Sequence, residues 1–168
     1  LRHGNELLSD LHPGYEVAKK GPVTGYDLAS IRTVLSEYQG WSVDLSAFDC
    51  FVGLLVFDAL VGNTDRHHEN WAVVQDSREL APSFDHGASL GFNANSSQMA
   101  DAGRYASKAK ARPFGRGIGT LDLAREALDM VTTEVGNLWI GRVGDLNEAD
   151  IPLIVEAVPT SWMSDVRR

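Results

Sequence analysis

The sequence predicts an α+β domain that is mostly helical. Three segments, residues 27–40, 46–62 and 120–131, carry apolar residues at three- and four-residue steps, which is the spacing of one face of an α-helix. Two short apolar runs, residues 70–75 and 80–84, lie between the second and third segments and are separated by a turn. Helices combined with one hairpin are typical of an α+β fold.

Length, composition and charge describe one globular domain that spans residues 1–168. Of its residues, 43% are hydrophobic and 23% are charged, which are ordinary values for a globular protein. The net charge of −8 argues against general nucleic-acid binding. A single cysteine, Cys50, excludes an internal disulfide framework and suits a reducing compartment. Because no apolar stretch reaches the ~18 residues of a membrane span, we expect a cytoplasmic protein without membrane contact.

The first half of the chain should form an irregular segment and two helices. Residues 1–26 are rich in Gly, Pro and His without a sustained period, so we predict irregular structure with one short turn at residues 6–9. Asp27 can cap the first helix and Gly40 can end it. The second helix should begin near Ser46 and end at the turn signal Gly62-Asn63; it is apolar nearly all round and should therefore lie in the core.

The second half should begin with the hairpin, which folds residue 85 back towards residue 65. Residues 88–119 are polar, and a stretch of weak structure of this length is usually functional or disordered. We predict a helix capped by Thr120, then a linker with Gly141 and Gly144, then a last helix through residues 151–158. Within it lies a basic stretch with no acid between Arg104 and Leu121; its cations are Arg104, Lys108, Lys110, Arg112 and Arg116.

Two acidic motifs follow the second helix. Residues 65–70 fit the pattern D-x-x-x-x-N, and residues 85–87 fit D-x-G about twenty positions later. A phosphoryl-transfer site needs such a set of groups. One carboxylate orients or deprotonates the attacking group, and an amide oxygen and a second carboxylate hold Mg²⁺.

These motifs resemble one family of kinases. Protein kinases place His-Arg before the Asp, whereas here Asn63-Thr64 precede it and Arg66-His67 follow. The pattern G-x-x-D-R-H-x-x-N with a later D-x-G turn is similar to the HipA-like toxin kinases and, distantly, to the phosphatidylinositol 3- and 4-kinases. The resemblance covers residues 25–120 and implies the carboxy-terminal lobe of a protein-kinase-like fold, with a small β-hairpin that carries the metal site.

The resemblance implies catalytic and metal-binding roles. Asp65 would be the base that accepts or orients the substrate hydroxyl. His67 would contribute positive or hydrogen-bonding character to the transferred phosphate. Asn70 and Asp85 would bind Mg²⁺.

The resemblance to these kinases also implies a nucleotide site and two supporting residues. ATP would contact a set made of His67, His68, Glu69, Asn70, Phe84 and Asp85. Gly87 would support the D-x-G turn. Arg66 would anchor its loop through a buried hydrogen-bonded pair, because a long charged side chain after a catalytic Asp needs a partner.

A complete kinase also needs an amino-terminal lobe with a phosphate loop and a strand lysine. None of the lysines stands in that context; they are Lys19, Lys20, Lys108 and Lys110. The start at Leu1 instead of Met agrees with a piece of a longer protein. We therefore expect a carboxy-terminal lobe alone, weak in isolation, whose partners are a protein substrate and an antitoxin or a separate amino-terminal lobe.

The expected function is transfer of a phosphoryl group from Mg²⁺-ATP to a Ser or Thr hydroxyl of a protein, as in a bacterial toxin–antitoxin kinase. One alternative is a lipid or small-molecule kinase lobe, although no basic amphipathic surface helix supports work at a membrane. The other is a truncated, non-catalytic module that binds a nucleotide or a protein.

Two other interpretations of the same residues stay open. Asp65 and Asp85 are both turn formers and could serve only that role. His67, His68 and His86 suggest zinc, but the chain offers no cysteine beside them, and adjacent histidines rarely share one metal well.

Overall fold

The computed structural model describes residues 1–19, 21–92, 94–115, 117–147 and 149, and shows a mostly helical α+β fold. The helices are α1 Gly4–Leu11, α2 Leu28–Leu35, α3 Ala47–Val61, α4 Ser96–Met99, α5 Ala102–Ser107, α6 Thr120–Leu128 and α7 Thr133–Gly144, with a 3₁₀ turn at Arg112–Phe114. The strands are β1 Arg2–His3, β2 Ala72–Val74 and β3 Glu79–Leu80. The predicted fold class is confirmed at this level.

Helix α3 is the centre of the core, as its apolar sequence predicted. Ser46 caps its start by accepting a hydrogen bond from the backbone N–H of Asp49, and Gly62 ends it in the left-handed conformation. Helices α2, α6 and α7 all pack against it. Its last turn differs, because Phe57 and Leu60 are 40% and 45% exposed. The helix is therefore enclosed along most of its length and open at the end from which the site loop departs.

The strands form one small antiparallel sheet in the order β1-β2-β3. The predicted hairpin is confirmed: Val73 pairs with Leu80, and Val74 pairs with Glu79. Its second strand is shorter than predicted and ends at Leu80. Pro82 explains the early end, because proline lacks the N–H that would continue the ladder.

The prediction of an irregular first segment was wrong for residues 2–11, which form β1 and α1. Glu6 accepts a hydrogen bond from the backbone N–H of His3 at 2.8 Å, which stabilises the start of α1. Gly4 lies so close to Trp71 that a Cβ atom there would be 2.2 Å from the indole ring. Tertiary contact therefore fixes a helix that is too short to show a clear period.

The linker predicted around Gly141 and Gly144 was also wrong, because both belong to α7. Thr132 caps this helix by accepting from the N–H of Val135. Trp139 then packs on α3, where its indole N–H donates to the carbonyl of Asp49 at 2.9 Å. Burial of one large aromatic side chain outweighs the low helix propensity of the glycines.

Two helix ends differ from the predictions, and one predicted helix falls outside the described residues. Asp27 caps α2 as predicted, but the helix ends at Leu35, because Gln39 exchanges backbone hydrogen bonds with Arg78 and Leu80 of the hairpin. Thr120 is the first residue of α6 and not its cap, which is Gly119. The helix predicted at residues 151–158 lies outside the described residues.

Among the described residues, no helix is both long and apolar enough to cross a membrane.

Gly53→Ala tests the contact between α3 and α7. A Cβ at Gly53 would lie 2.6 Å from the Trp139 ring, so the ring or the helix must shift. We expect a loss of about 1–3 kcal/mol in the free energy of unfolding. The control is Gly141→Ala, since no atom lies within 4 Å of a Cβ there, and this variant should be neutral or more stable. Equal urea midpoints for the two variants would contradict the packing.

Candidate functional site

The chain leaves α3 through residues 62–71, which we call the site loop. Gly62 has a φ of 65°, a conformation that glycine adopts without strain. Asn63 then bonds twice to Asp58 in the last turns of α3: its backbone N–H donates to the carbonyl at 2.8 Å, and its side chain donates to the carboxylate at 2.8 Å. Asn63 is 2% exposed, so the origin of the loop belongs to the core.

A buried ion pair joins α3 to the site loop. Arg66 and Asp58 are each 3% exposed. Nε of Arg66 donates to Oδ2 of Asp58 at 2.8 Å, and Nη2 donates to Oδ1 at 2.7 Å. This two-point pairing matches the flat guanidinium to the flat carboxylate. Arg66 thus forms the buried hydrogen-bonded pair that the sequence predicted, with Asp58 as its partner.

The Arg66 guanidinium also holds residues 83–88, which we call the return turn. Nη1 donates to the carbonyl of Asn70 at 2.7 Å and to the carbonyl of Phe84 at 3.4 Å. Nη2 lies 3.5 Å from the hydroxyl of Ser83. One side chain therefore contacts both acidic motifs, with short bonds to the site loop and longer ones to the return turn.

Asp65, Asn70 and Asp85 line one cavity of about 220 Å³. The rest of its lining is formed by Gly87, Ala88 and Phe92. The site loop also bonds to the return turn directly, because the N–H of Thr64 donates to the carbonyl of Ala88 at 3.4 Å. The hairpin thus brings together three oxygen-bearing side chains from two motifs that are distant in sequence.

A hydrogen bond orients the side chain of Asn70 within this cavity. Its Nδ2 donates to the carbonyl of Asp65 at 2.8 Å, and the residue is 5% exposed. Since a carbonyl oxygen only accepts, this bond identifies the nitrogen of the amide and places the amide oxygen on the other side. Asn70 therefore joins the two ends of its own motif and retains one oxygen for a cation.

Asp85 has a left-handed backbone conformation, with a φ of 54°. Residues other than glycine seldom adopt it, although Asp and Asn do so more readily than most. Gly87, by contrast, has no positive φ, and a Cβ there would only meet Oδ1 of Asp85 at 3.7 Å. Neither the backbone conformation nor a neighbouring protein atom requires glycine at residue 87, so the supporting role of Gly87 stays a prediction.

His86 points into the supporting structure and does not line the cavity. Its Nε2 is 2.8 Å from the hydroxyl of Ser83, and its Nδ1 is 3.4 Å from Nη2 of Arg66. Its ring packs edge-on against Phe57, with 5.2 Å between the ring centroids. His86 therefore ties the return turn to the last turns of α3.

Two tyrosines from the amino-terminal segment form hydrogen bonds with the site loop. The hydroxyl of Tyr26 donates to the carbonyl of Arg66 at 2.6 Å, and that of Tyr15 is 2.7 Å from Nδ1 of His68. Burial raises the pKa of both tyrosines, so both hydroxyls stay protonated. Burial, reinforced by the neighbouring His67, lowers the pKa of His68 and keeps its imidazole neutral.

His67, His68 and Glu69 present one ligand atom each within 4.8 Å of one another, the spacing that a metal ion would need. Part of this set is already engaged. Nδ1 of His67 accepts from the N–H of Glu69 at 3.1 Å, and Nδ1 of His68 contacts Tyr15. His3 holds the carbonyl of Glu69 through its own Nδ1 at 2.9 Å. These contacts explain the geometry of the group without an ion.

The structure thus brings part of the predicted site together. Asp65, Asn70 and Asp85 share the cavity, whereas the lining residues do not include the other predicted nucleotide contacts, His67, His68, Glu69 and Phe84. His68 is 2% exposed, so little of its surface is accessible to a ligand. Nucleotide contact by these residues stays a prediction.

Sequence reasoning missed Asp58, Asn63, Tyr15 and Tyr26. A signal for Asp58 was present: a carboxylate near the end of an otherwise apolar helix needs a buried partner. Nothing comparable marks the tyrosines, because their contacts join residues that are forty to fifty-three positions apart.

Asp58→Ala tests the buried pair. It would leave the Arg66 guanidinium buried without its carboxylate, so we expect a loss of about 3–5 kcal/mol in the free energy of unfolding. The control is Asp122→Ala, which breaks the exposed pair with Arg125 (3.4 Å, side chains 65% and 67% exposed) and should cost less than about 1 kcal/mol. Chemical denaturation measures both. A small loss for Asp58→Ala would show that the pair does not support the loop.

No protein-family model, no curated protein and no solved structure matches the chain.

Proposed function

We propose that this chain is the catalytic lobe of a kinase that transfers a phosphoryl group from Mg²⁺-bound ATP to a Ser or Thr hydroxyl of a protein. The observation that carries the proposal is the cavity shared by Asp65, Asn70 and Asp85. A purely turn-forming role explains each aspartate alone, but it does not require both to face one space. Their convergence is what a metal-assisted transfer needs.

The donor set suits a hard divalent cation. Carboxylate and amide oxygens are the ligands that Mg²⁺ takes from proteins, usually one or two of them beside water and phosphate oxygens. The amide oxygen of Asn70 and the carboxylate of Asp85 would hold the ion. When bound, Mg²⁺ supplies neutralisation of the charge that develops on the transferred phosphoryl group.

Asp65 has the support that a base or orienting group requires. Its N–H donates to the side-chain oxygen of Asn63 at 3.2 Å, and its carbonyl accepts from Asn70 at 2.8 Å. Both bonds use the backbone of Asp65, so its carboxylate at the cavity is available to accept the proton of an acceptor hydroxyl. A rigidly held loop of this kind keeps the carboxylate within reach of the attacking oxygen.

The cavity accounts for only part of a nucleotide site. Its volume of about 220 Å³ suits phosphate groups and an ion, whereas sites for drug-sized ligands usually measure ~300–1,000 Å³. Its described lining contains no cation, and Arg66 is engaged with Asp58. We therefore propose that a second lobe, in the same polypeptide or in a partner, supplies the base pocket and the lysine for the phosphates.

The resemblance to HipA-like kinases implies a biological role for the proposed enzyme. It would be a bacterial toxin–antitoxin kinase or a related regulatory kinase, with an antitoxin as partner. Transfer to a lipid or small-molecule hydroxyl is the enzymatic alternative. The lack of a cation in the described cavity lining favours a second candidate, a module that holds a nucleotide or a protein without turnover.

Asp85→Ala tests the metal site. We expect Mg²⁺-dependent ATP binding, measured by calorimetry, to weaken at least about tenfold, because a charged metal ligand is lost. The control is Asp76→Ala, which removes an exposed aspartate from the hairpin turn and should leave binding unchanged. Equal affinity for wild type and Asp85→Ala would exclude the metal assignment.

Asp65→Asn separates catalysis from binding. We expect the transfer rate to fall about 10²–10⁴-fold, the usual contribution of a general base, with nucleotide affinity nearly unchanged. Transfer is measured on the chain combined with a lysine-bearing lobe. Loss of both properties to the same extent would contradict the base assignment. Binding by wild type without transfer under any of these conditions would favour the non-catalytic module.

A further inference from the structure

A second and larger cavity, of about 530 Å³, lies beside the candidate site. We call it the basic pocket. Four cations line it, Arg104, Lys108, Lys110 and Arg112. The part of the chain that surrounds it was predicted from sequence to have little structure of its own, yet α5 and the 3₁₀ turn at Arg112–Phe114 give it fixed walls.

The cations of the basic pocket form no ion pair with a described residue. All four cationic residues are exposed. Asp101 is the one acid in the described lining, and its Oδ1 accepts from the N–H of Arg104 as the cap of α5. A chain with a net charge of −8 therefore gathers four cations around one concave space. Like charges so placed repel each other, and an anionic ligand would relieve that repulsion.

The basic pocket adjoins the cavity of the acidic motifs. Thr64 lines the pocket, and the next residue, Asp65, lines the other cavity. The backbone N–H of Arg112 donates to the carbonyl of Thr64 at 3.3 Å. A ligand held in the basic pocket would therefore lie next to the residue that we propose as catalytic base.

The floor of the basic pocket is tied to the core. Lys110 forms a β-bridge with Gly119, and the N–H of Ala111 donates to the carbonyl of Ile118 at 3.0 Å. Phe114 is buried, and its ring centroid lies 4.6 Å from that of Tyr26, which holds the site loop. The cations consequently project from an anchored segment, as a binding site requires.

We infer that the basic pocket binds anionic side chains of the protein acceptor, so that the kinase selects a Ser or Thr next to acidic residues. The identification of this ligand as the acceptor protein rests on the proposed function. A local cavity suits one or two side chains, whereas a nucleic acid would meet the negative charge of the rest of the chain. The anionic groups are the carboxylates of Glu or Asp, or phosphate groups on side chains; both pair with Lys and Arg.

Peptide binding to the 168-residue chain tests this inference without any need for catalysis. The probes are three fluorescein-labelled peptides with one serine: the first has a run of glutamates beside it, the second has glutamines there, and the third has phosphoserines. Fluorescence anisotropy at ~0.05 M and ~0.3 M salt gives the affinities, since screening weakens exposed charge pairs. We expect the glutamate peptide to bind at least about tenfold more tightly than the glutamine peptide at low salt.

Two double variants locate the site. Lys108→Glu/Lys110→Glu should abolish the preference for the glutamate peptide. Arg125→Glu/Arg142→Glu changes the net charge by the same amount, but at exposed residues outside the described pocket lining. This variant should keep the preference for the glutamate peptide. Circular dichroism shows whether each variant folds. If charge reversal impairs folding, Lys108→Gln/Lys110→Gln replaces the charge-reversed variant and should also abolish the preference for the glutamate peptide. Equal affinity for the glutamate and glutamine peptides, or equal loss in both charge-reversed variants, would overturn the inference.

The remaining binding measurements identify the chemical class of the ligand. Tighter binding of the phosphoserine peptide than of the glutamate peptide would support the pocket and assign phosphorylated side chains to it. Tighter binding of a single-stranded oligonucleotide than of any peptide would overturn the inference in favour of nucleic acid. In Asp85→Ala, acidic-peptide binding should persist while Mg²⁺-dependent ATP binding weakens at least about tenfold. If wild type binds the peptide but binds no Mg²⁺-ATP even with a lysine-bearing lobe added, the proposed kinase function fails and the pocket stands without it.

Discussion

The buried pair of Asp58 and Arg66 is the interaction on which the rest of the site depends. Asp58 belongs to the core helix, and Arg66 belongs to the loop that this helix releases. The same guanidinium bonds to the carbonyl groups of Asn70 and Phe84. A free energy of ~3–5 kcal/mol for breaking such a pair is a large part of the ~5–15 kcal/mol that stabilises a typical domain. Loop geometry and overall stability are therefore coupled.

Arg66 shows why a charged side chain can be retained in a core. Replacing a buried ion pair by apolar groups often costs a protein nothing, so the pair is weak evidence of a need for stability. An apolar residue at position 66, however, could not donate to carbonyl groups on two separate segments. The guanidinium has five N–H donors in a fixed plane, and this geometry holds the site loop and return turn together.

The fold and the site were predictable to different extents, and particular residues show why. Ser46, Gly62 and the apolar positions between them predicted α3, because caps and periodicity act within a few residues. Trp139 turned a predicted linker into helix α7, and Gly4 beside Trp71 gave order to a segment without a period. Those outcomes depend on contacts across the chain that no local pattern contains.

The candidate site, like the fold, was predictable where local sequence patterns act and not where distant contacts decide. The spacing of Asp65, Asn70 and Asp85 indicated oxygen ligands, and the hairpin between them indicated that they would meet. The supports from Tyr15 and Tyr26 were not predictable, because each joins the site loop to a residue that is forty or more positions away in the sequence. Functional side chains recur in motifs, whereas the residues that hold them are chosen by the shape of one particular core.

The positive φ of Asp85 has a consequence for which residues can replace it over evolutionary time. Besides glycine, Asp and Asn enter that conformation more readily than most residues, although Arg78 and Leu90 of this chain adopt it too. Asn would preserve the shape of the turn and lose the negative charge. The shape of the turn therefore does not distinguish Asp from Asn at this position, and the negative charge is a property that the backbone conformation does not require.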